Sequence, residues 1–116
     1  MSYAHLLDRT KEAPVHALRA VVTEMTDLLV KSSSNIVSAG VHPTLPLMTI
    51  GFYKPKDPTA PTTYYVYEAP EEVLAIARDA NKWEAMVEDP AFSMGKWRPK
   101  ALNGPYSHPF TMEDED

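Results

Sequence analysis

Leu47-Met48-Thr49-Ile50-Gly51-Phe52 and Thr62-Thr63-Tyr64-Tyr65-Val66-Tyr67-Glu68 are the two runs that decide the fold. The first alternates Leu47, Thr49 and Gly51 with Met48, Ile50 and Phe52, and the second set reads as a buried strand face. The second run is rich in aromatic and β-branched side chains, the composition of a strand. Between them, Lys54-Pro55-Lys56-Asp57-Pro58-Thr59-Ala60-Pro61 holds three strand-breaking prolines and reads as an extended hairpin loop. A weaker run, Ile36 to Val41, is interrupted by Gly40 and stopped by His42-Pro43. It reads as a further short strand.

Helical patterns flank these strands. Val15, Leu18, Val22, Met25 and Leu29 recur at helical spacing, which predicts an amphipathic helix over 14–32. Pro14 suits its first turn, and Ser32-Ser33-Ser34-Asn35 ends it. Residues 3–11 read as a short preceding helix. After Pro70, Glu71 and Glu72 meet the positive end of a helix dipole. The stripe Val73, Ile76, Ala77, Ala80 runs on through Trp83 and Val87 to Asp89-Pro90, either unbroken or with a break near Asn81. From Ala91 onward the chain reads as loop with at most one more short element. The expected fold is α+β: a three-stranded antiparallel sheet in β-β-β-α order, with an added N-terminal amphipathic helix. That helix either covers the open sheet face or pairs with a copy of itself, so a homo-oligomer through 14–32 is one expectation.

Composition sets bounds. The 116 residues suit one domain with its own core. No apolar run approaches the ~18 residues of a membrane span, and no secretory leader is readable. With no cysteine, disulfides, thiolate metal sites and cysteine catalysis are excluded. A cytoplasmic location is the expectation. The net charge of −5 comes mostly from Glu113-Asp114-Glu115-Asp116, and without these the chain has 11 basic against 12 acidic residues. From Pro90 to Met112 there is no acid, while Lys96, Arg98 and Lys100 lie there with His108.

That acid-free stretch is the centre of the candidate site. Ser93 and the backbone at Gly95 offer donors to an anion. Lys96, Arg98 and Lys100 offer charge for phosphates, and Trp97 and Tyr106 offer stacking surface. Interleaved basic and aromatic residues of this kind suit nucleotide or nucleic-acid contact. Tyr65 and Tyr67 share one strand face, with Tyr64 and Val66 on the other. Either pair can face the core; if Tyr65 and Tyr67 face outward they form a stacking platform for bases. Catalytic and metal motifs are lacking: there is no His-Glu-x-x-His string, no Gly-x-Ser-x-Gly elbow and no glycine-rich phosphate loop. No cofactor and no enzymatic activity are expected.

These motifs, in this order, resemble the KTSC domain, found in small bacterial and phage proteins and at the C-terminus of some lysyl-tRNA synthetases. Tyr65-Val66-Tyr67 matches its central Tyr-x-Tyr. Ser33-Ser34-Asn35-Ile36 matches its serine-led first strand, Ala69-Pro70 stands where its helix opens, and Ser93-Met94-Gly95-Lys96-Trp97 matches its Ser-x-Gly turn. Pro70 to Ser93 is longer than in the family, and Arg98-Pro99 replaces an asparagine. The resemblance implies a division into an N-terminal helical segment (1–32), a β-β-β-α domain (33–110) and an acidic tail (111–116). It also implies RNA binding, from the company the domain keeps. The expected function is a non-enzymatic binding module for a nucleotide or nucleic acid. The alternative is a protein-interaction module, such as a phage-encoded inhibitor of a host machine.

Overall fold

A computed structural model of the chain describes residues 3–31, 35–53 and 59–113. Four strands, β1 (Thr26–Leu28), β2 (Ile36–Val41), β3 (Leu47–Phe52) and β4 (Thr63–Glu68), form one antiparallel sheet in chain order. The α+β class and the three expected strands are present, and β1 is a fourth. It lies inside the segment read as helix. The helix α1 spans Val15–Thr23 only; the chain then turns, and Thr26, Asp27 and Leu28 pair with Val41, Gly40 and Ala39. The Thr23 hydroxyl donates to the Arg19 carbonyl at 2.8 Å, a back-bond that competes with continued helix. Leu29, expected on the helix stripe, is 46% exposed, and its carbonyl instead accepts the Trp83 indole N–H at 2.8 Å.

Both faces of the sheet are covered. On one, Met48, Ile50 and Tyr67 pack with Val73, Leu74, Ala77, Trp83, Val87, Met94 and Leu102. These come from α2 (Glu71–Ala77), α3 (Ala80–Glu88), α4 (Met94–Ala101) and the residue that follows it. On the other, Leu47 and Val66 pack with Leu18 of α1, with Leu6 of a 3-10 turn (Ala4–Leu7), and with Phe110. This explains why β3 buries both of its side-chain sets, Thr49 and Gly51 included. Within the chain, Leu18 of α1 packs on this face of the sheet.

The long helical pattern after Pro70 is two helices. Asp79 breaks it in extended conformation and caps α3, its side chain accepting from the Asn81 and Lys82 N–H groups. The segment from Ser93, expected as a turn, is the helix α4, with Pro99 inside it. The serine stop at 32–34, the hairpin loop at 54–58 and the tail at 114–116 lie outside the described residues.

The outer edge of β4 is lined by a strap, residues 105–110. Tyr64 and Phe110 exchange backbone bonds at 2.7 and 3.0 Å, Ser107 N–H donates to Val66 at 2.8 Å, and Glu68 N–H donates to Pro105 at 2.9 Å. Tyr64 to Tyr67 spans three steps on β4 while Tyr106 to Phe110 spans four on the strap, so the strap carries a bulge. Further bonds hold its position. His108 Nε2 lies 2.8 Å from the Lys11 carbonyl, and Arg19 donates to the carbonyls of Thr111 and Glu113 at 2.7 and 2.6 Å.

Candidate functional site

The strap and the C-terminal end of α4 border an open hollow of about 650 Å³ over the end of β4. Its wall includes Phe52 of β3, Thr63, Tyr65 and Tyr67 of β4, Arg98 and Pro99 of α4, Asn103-Gly104, and Tyr106 and Pro109 of the strap. Alternation along β4 sends Tyr65 and Tyr67 to the helix-covered face, and the bulged strap brings Tyr106 beside them. The rings touch one another. Tyr65 meets Phe52 edge-on with centroids 5.6 Å apart, and Tyr106 lies 5.9 Å from Tyr67 and 6.2 Å from Tyr65. Such tilted and edge-on pairs place a positive ring edge against a negative face.

Two arginines approach this cluster. Arg98 lies 5.8 Å from the Tyr67 centroid and 5.9 Å from that of Phe52. Arg9, from the N-terminal segment, lies 3.8 Å over the Tyr106 ring. Tyr67 is only 4% exposed. Burial raises its phenol above the ordinary tyrosine range, and the Arg98 charge pulls the other way. Among the described residues Arg98 is the one charged side chain in the wall.

A smaller hollow of about 290 Å³ adjoins it, sharing Asn103 and Gly104 and lined also by Tyr3 and Glu68. There the Tyr3 hydroxyl donates to the Glu68 carboxylate at 2.7 Å, a bond that raises the Tyr3 phenol.

Tyr65, Tyr67, Arg98 and Tyr106, all expected at the site, are brought together. Ser93, Gly95, Lys96, Trp97 and Lys100 are not part of this wall. Ser93 occupies the N-cap of α4 without a side-chain cap bond, and Gly95 is exposed in the first turn. Trp97 packs edge-on against Trp83 at 5.4 Å and near Phe92 at 6.3 Å, as a core anchor. Lys96 and Lys100 are exposed and one turn apart. Because a helix turns about 100° per residue, Arg98 projects roughly half a turn away from both. Tyr65 and Tyr67 line one wall of this open hollow. Phe52, Leu102, Asn103 and Pro109 were missed. The dipeptide Asn103-Gly104 was a readable turn signal just after the basic stretch.

His42, which stops the Ile36–Val41 run, is buried and organises the turn that follows. Its Nδ1 accepts from the N–H groups of Thr44 and Leu45 at 3.1 and 2.9 Å, so its Nε2–H donates to Glu24 at 2.9 Å. Among the described residues no group of three histidine or acidic side chains is arranged to hold a metal ion, and no helix is long and apolar enough to cross a membrane.

No family model, curated protein or solved structure matches this chain.

Proposed function

We propose that the chain is a non-enzymatic binding module for a nucleotide or nucleic acid, with the aromatic hollow as its site. One observation carries this reading: Tyr65, Tyr106 and Phe52 share a hollow with the Arg98 guanidinium and the buried Tyr67 phenol. Aromatic rings take a base by stacking, and a guanidinium takes a phosphate through paired N–H donors. The volume falls within the roughly 300–1,000 Å³ of small-molecule sites. Lys96 and Lys100 stand outside the hollow and would meet the flanking phosphates of a longer strand. The resemblance to the KTSC domain belongs to this proposal: its strands would correspond to β2, β3 and β4 and its helix to α2. A cytoplasmic location is part of it too.

The test is tryptophan- and tyrosine-fluorescence titration with short single-stranded RNA at several salt concentrations. Affinity should fall as salt rises, and Tyr106→Ala should weaken binding by on the order of tenfold or more, the loss of one stacked base. Affinity indifferent to both salt and Tyr106 would sink the proposal.

A second reading has its own observation. Leu29 and Val37 are exposed apolar side chains next to β1, whose outer edge has no paired strand among the described residues. A protein partner docking there, or a second copy of the chain, would be lost on Leu29→Lys while RNA binding stayed intact.

A further inference from the structure

We infer that the hollow selects a ligand with a single phosphate, a nucleoside monophosphate rather than a di- or triphosphate. The inference rests on the nucleotide reading of the hollow and deepens it.

The first ground is charge. Arg98 is the one charged side chain in the wall among the described residues, and a single guanidinium fork matches one phosphate; Arg9 is engaged with the Tyr106 ring at 3.8 Å and is not among the wall residues. Lys96 and Lys100 leave α4 on its solvent side, so the basic cluster of the sequence does not converge on the site.

The second ground is the polarity of α4. Its C-terminal end, not its N-terminus, meets the hollow: Arg98, Pro99, Leu102 and Asn103 are all in the wall. The Leu102 N–H closes on the Arg98 carbonyl at 2.8 Å, and the later carbonyls of the last turn face the helix end. They concentrate about half a negative charge there. With Arg98 and Lys100 in the same turn the end is not negative overall, but it offers a further phosphate no free backbone N–H donor. It accepts hydrogen bonds from the exocyclic amino group of a base or from a ribose hydroxyl, with the Asn103 amide able to donate or accept beside it.

The third ground is the side opening. The adjoining hollow past Asn103-Gly104 holds the Glu68 carboxylate. A second or third phosphate extending that way would meet like charge in place of a cation or a helix N-terminus. Within the hollow itself, the Tyr67 phenol stays neutral at physiological pH and can donate to a phosphate oxygen already held by Arg98.

The experiment is isothermal titration calorimetry on the full chain at one low ionic strength. The probes are adenosine, AMP, ADP and ATP, with GMP, CMP and UMP as base variants. AMP should bind about tenfold tighter than adenosine, the worth of one charge-assisted contact. ADP and ATP should bind no tighter than AMP. Arg98→Gln, which keeps most of the apolar stem, should erase the AMP-over-adenosine gain, so that the variant binds the two with equal affinity whatever that affinity is. Affinity climbing with each added phosphate would overturn the inference while leaving the nucleotide reading standing. Equal binding of adenosine and AMP would also overturn it, by removing Arg98 from the phosphate role. If none of the probes binds a chain whose circular dichroism and thermal melt are those of a folded protein, the inference falls. If single-stranded RNA fails as well, the nucleotide reading falls with it.

Discussion

The Ser107 hydroxyl accepts the Val66 N–H at 2.9 Å and donates to the His108 carbonyl at 2.9 Å. A side chain thus stands in for the backbone acceptor that the bulged strap cannot offer to β4. Ser107 and Val66 are both fully buried, so no water competes for the bond. Ser107→Ala should leave a buried N–H unpaired and destabilise the chain by about 1–3 kcal/mol. Urea denaturation measures the loss, and hydrogen exchange at Val66 should speed up beyond it. A change below about 0.5 kcal/mol would mean that the strap shifts to offer another acceptor.

Gly51 is held to glycine by its neighbours. A Cβ there would collide with Ser38 Oγ and lie 3.0 Å from Thr62 Cγ2 and from Tyr64 Cε2. Ser38 Oγ is itself buried with no hydrogen-bond partner among the described residues. Gly51→Ala should therefore lose about 1–3 kcal/mol by overpacking. Ser38→Ala should be neutral or slightly stabilising, since it removes an orphan oxygen. Combined, the two should recover part of the loss. A double-mutant cycle should give a coupling above about 0.5 kcal/mol, and strict additivity would show that the strain lies at Tyr64 or Thr62.

Stability should also fall in alkali through Tyr67. Its folded phenol titrates above the ordinary 10.0, because burial penalises the phenolate more than Arg98 favours it. The unfolded chain therefore loses this proton first. The contribution is fully present below pH of about 10 and is lost as pH rises through the higher folded value. Urea midpoints measured from pH 9 to 11 should decline, and Tyr67→Phe should flatten the decline. Tyr3, raised by its bond to Glu68, contributes in the same direction, so Tyr3→Phe serves as the comparison. A slope unchanged in Tyr67→Phe would show that the phenol is not desolvated in solution.

The three longer strands were legible because their composition and alternation are local properties. Ile36–Val41, Leu47–Phe52 and Thr63–Glu68 lie within a residue of the runs read from sequence. β1 was not legible. Three residues carry no period, and Met25 and Leu29 continue the helical spacing of α1. What makes Thr26–Leu28 a strand is the pairing offered by Val41 to Ala39, which is remote in sequence. The helix α4 was hidden by Gly95 and Pro99, two poor helix formers; burial of Met94 and Leu102 at its ends outweighs them. The site was half legible. Residue types announced Tyr65, Tyr67, Arg98 and Tyr106, but grouping Arg98 with Lys96 and Lys100 treated the segment as a turn. Helical geometry separates the three. Which tyrosines faced inward was undecidable from the strand alone, because α1 covers the face that looked open.

The strap bears on the order of events during folding. The Val66–Ser107 bond joins residues 41 apart in sequence, the Tyr3–Glu68 bond spans 65, and the Arg19 bonds to Thr111 and Glu113, just past the strap, span 92 and 94. The neighbouring hairpins need only short loops to close. Closing long loops carries a larger entropic penalty, so high-separation contacts form late. The meander of β2, β3 and β4 can assemble while the hollow does not yet exist. Ligand binding would then report only chains that have completed the final docking step. In a refolding experiment, recovery of binding should lag recovery of sheet signal, with the interval set by the strap.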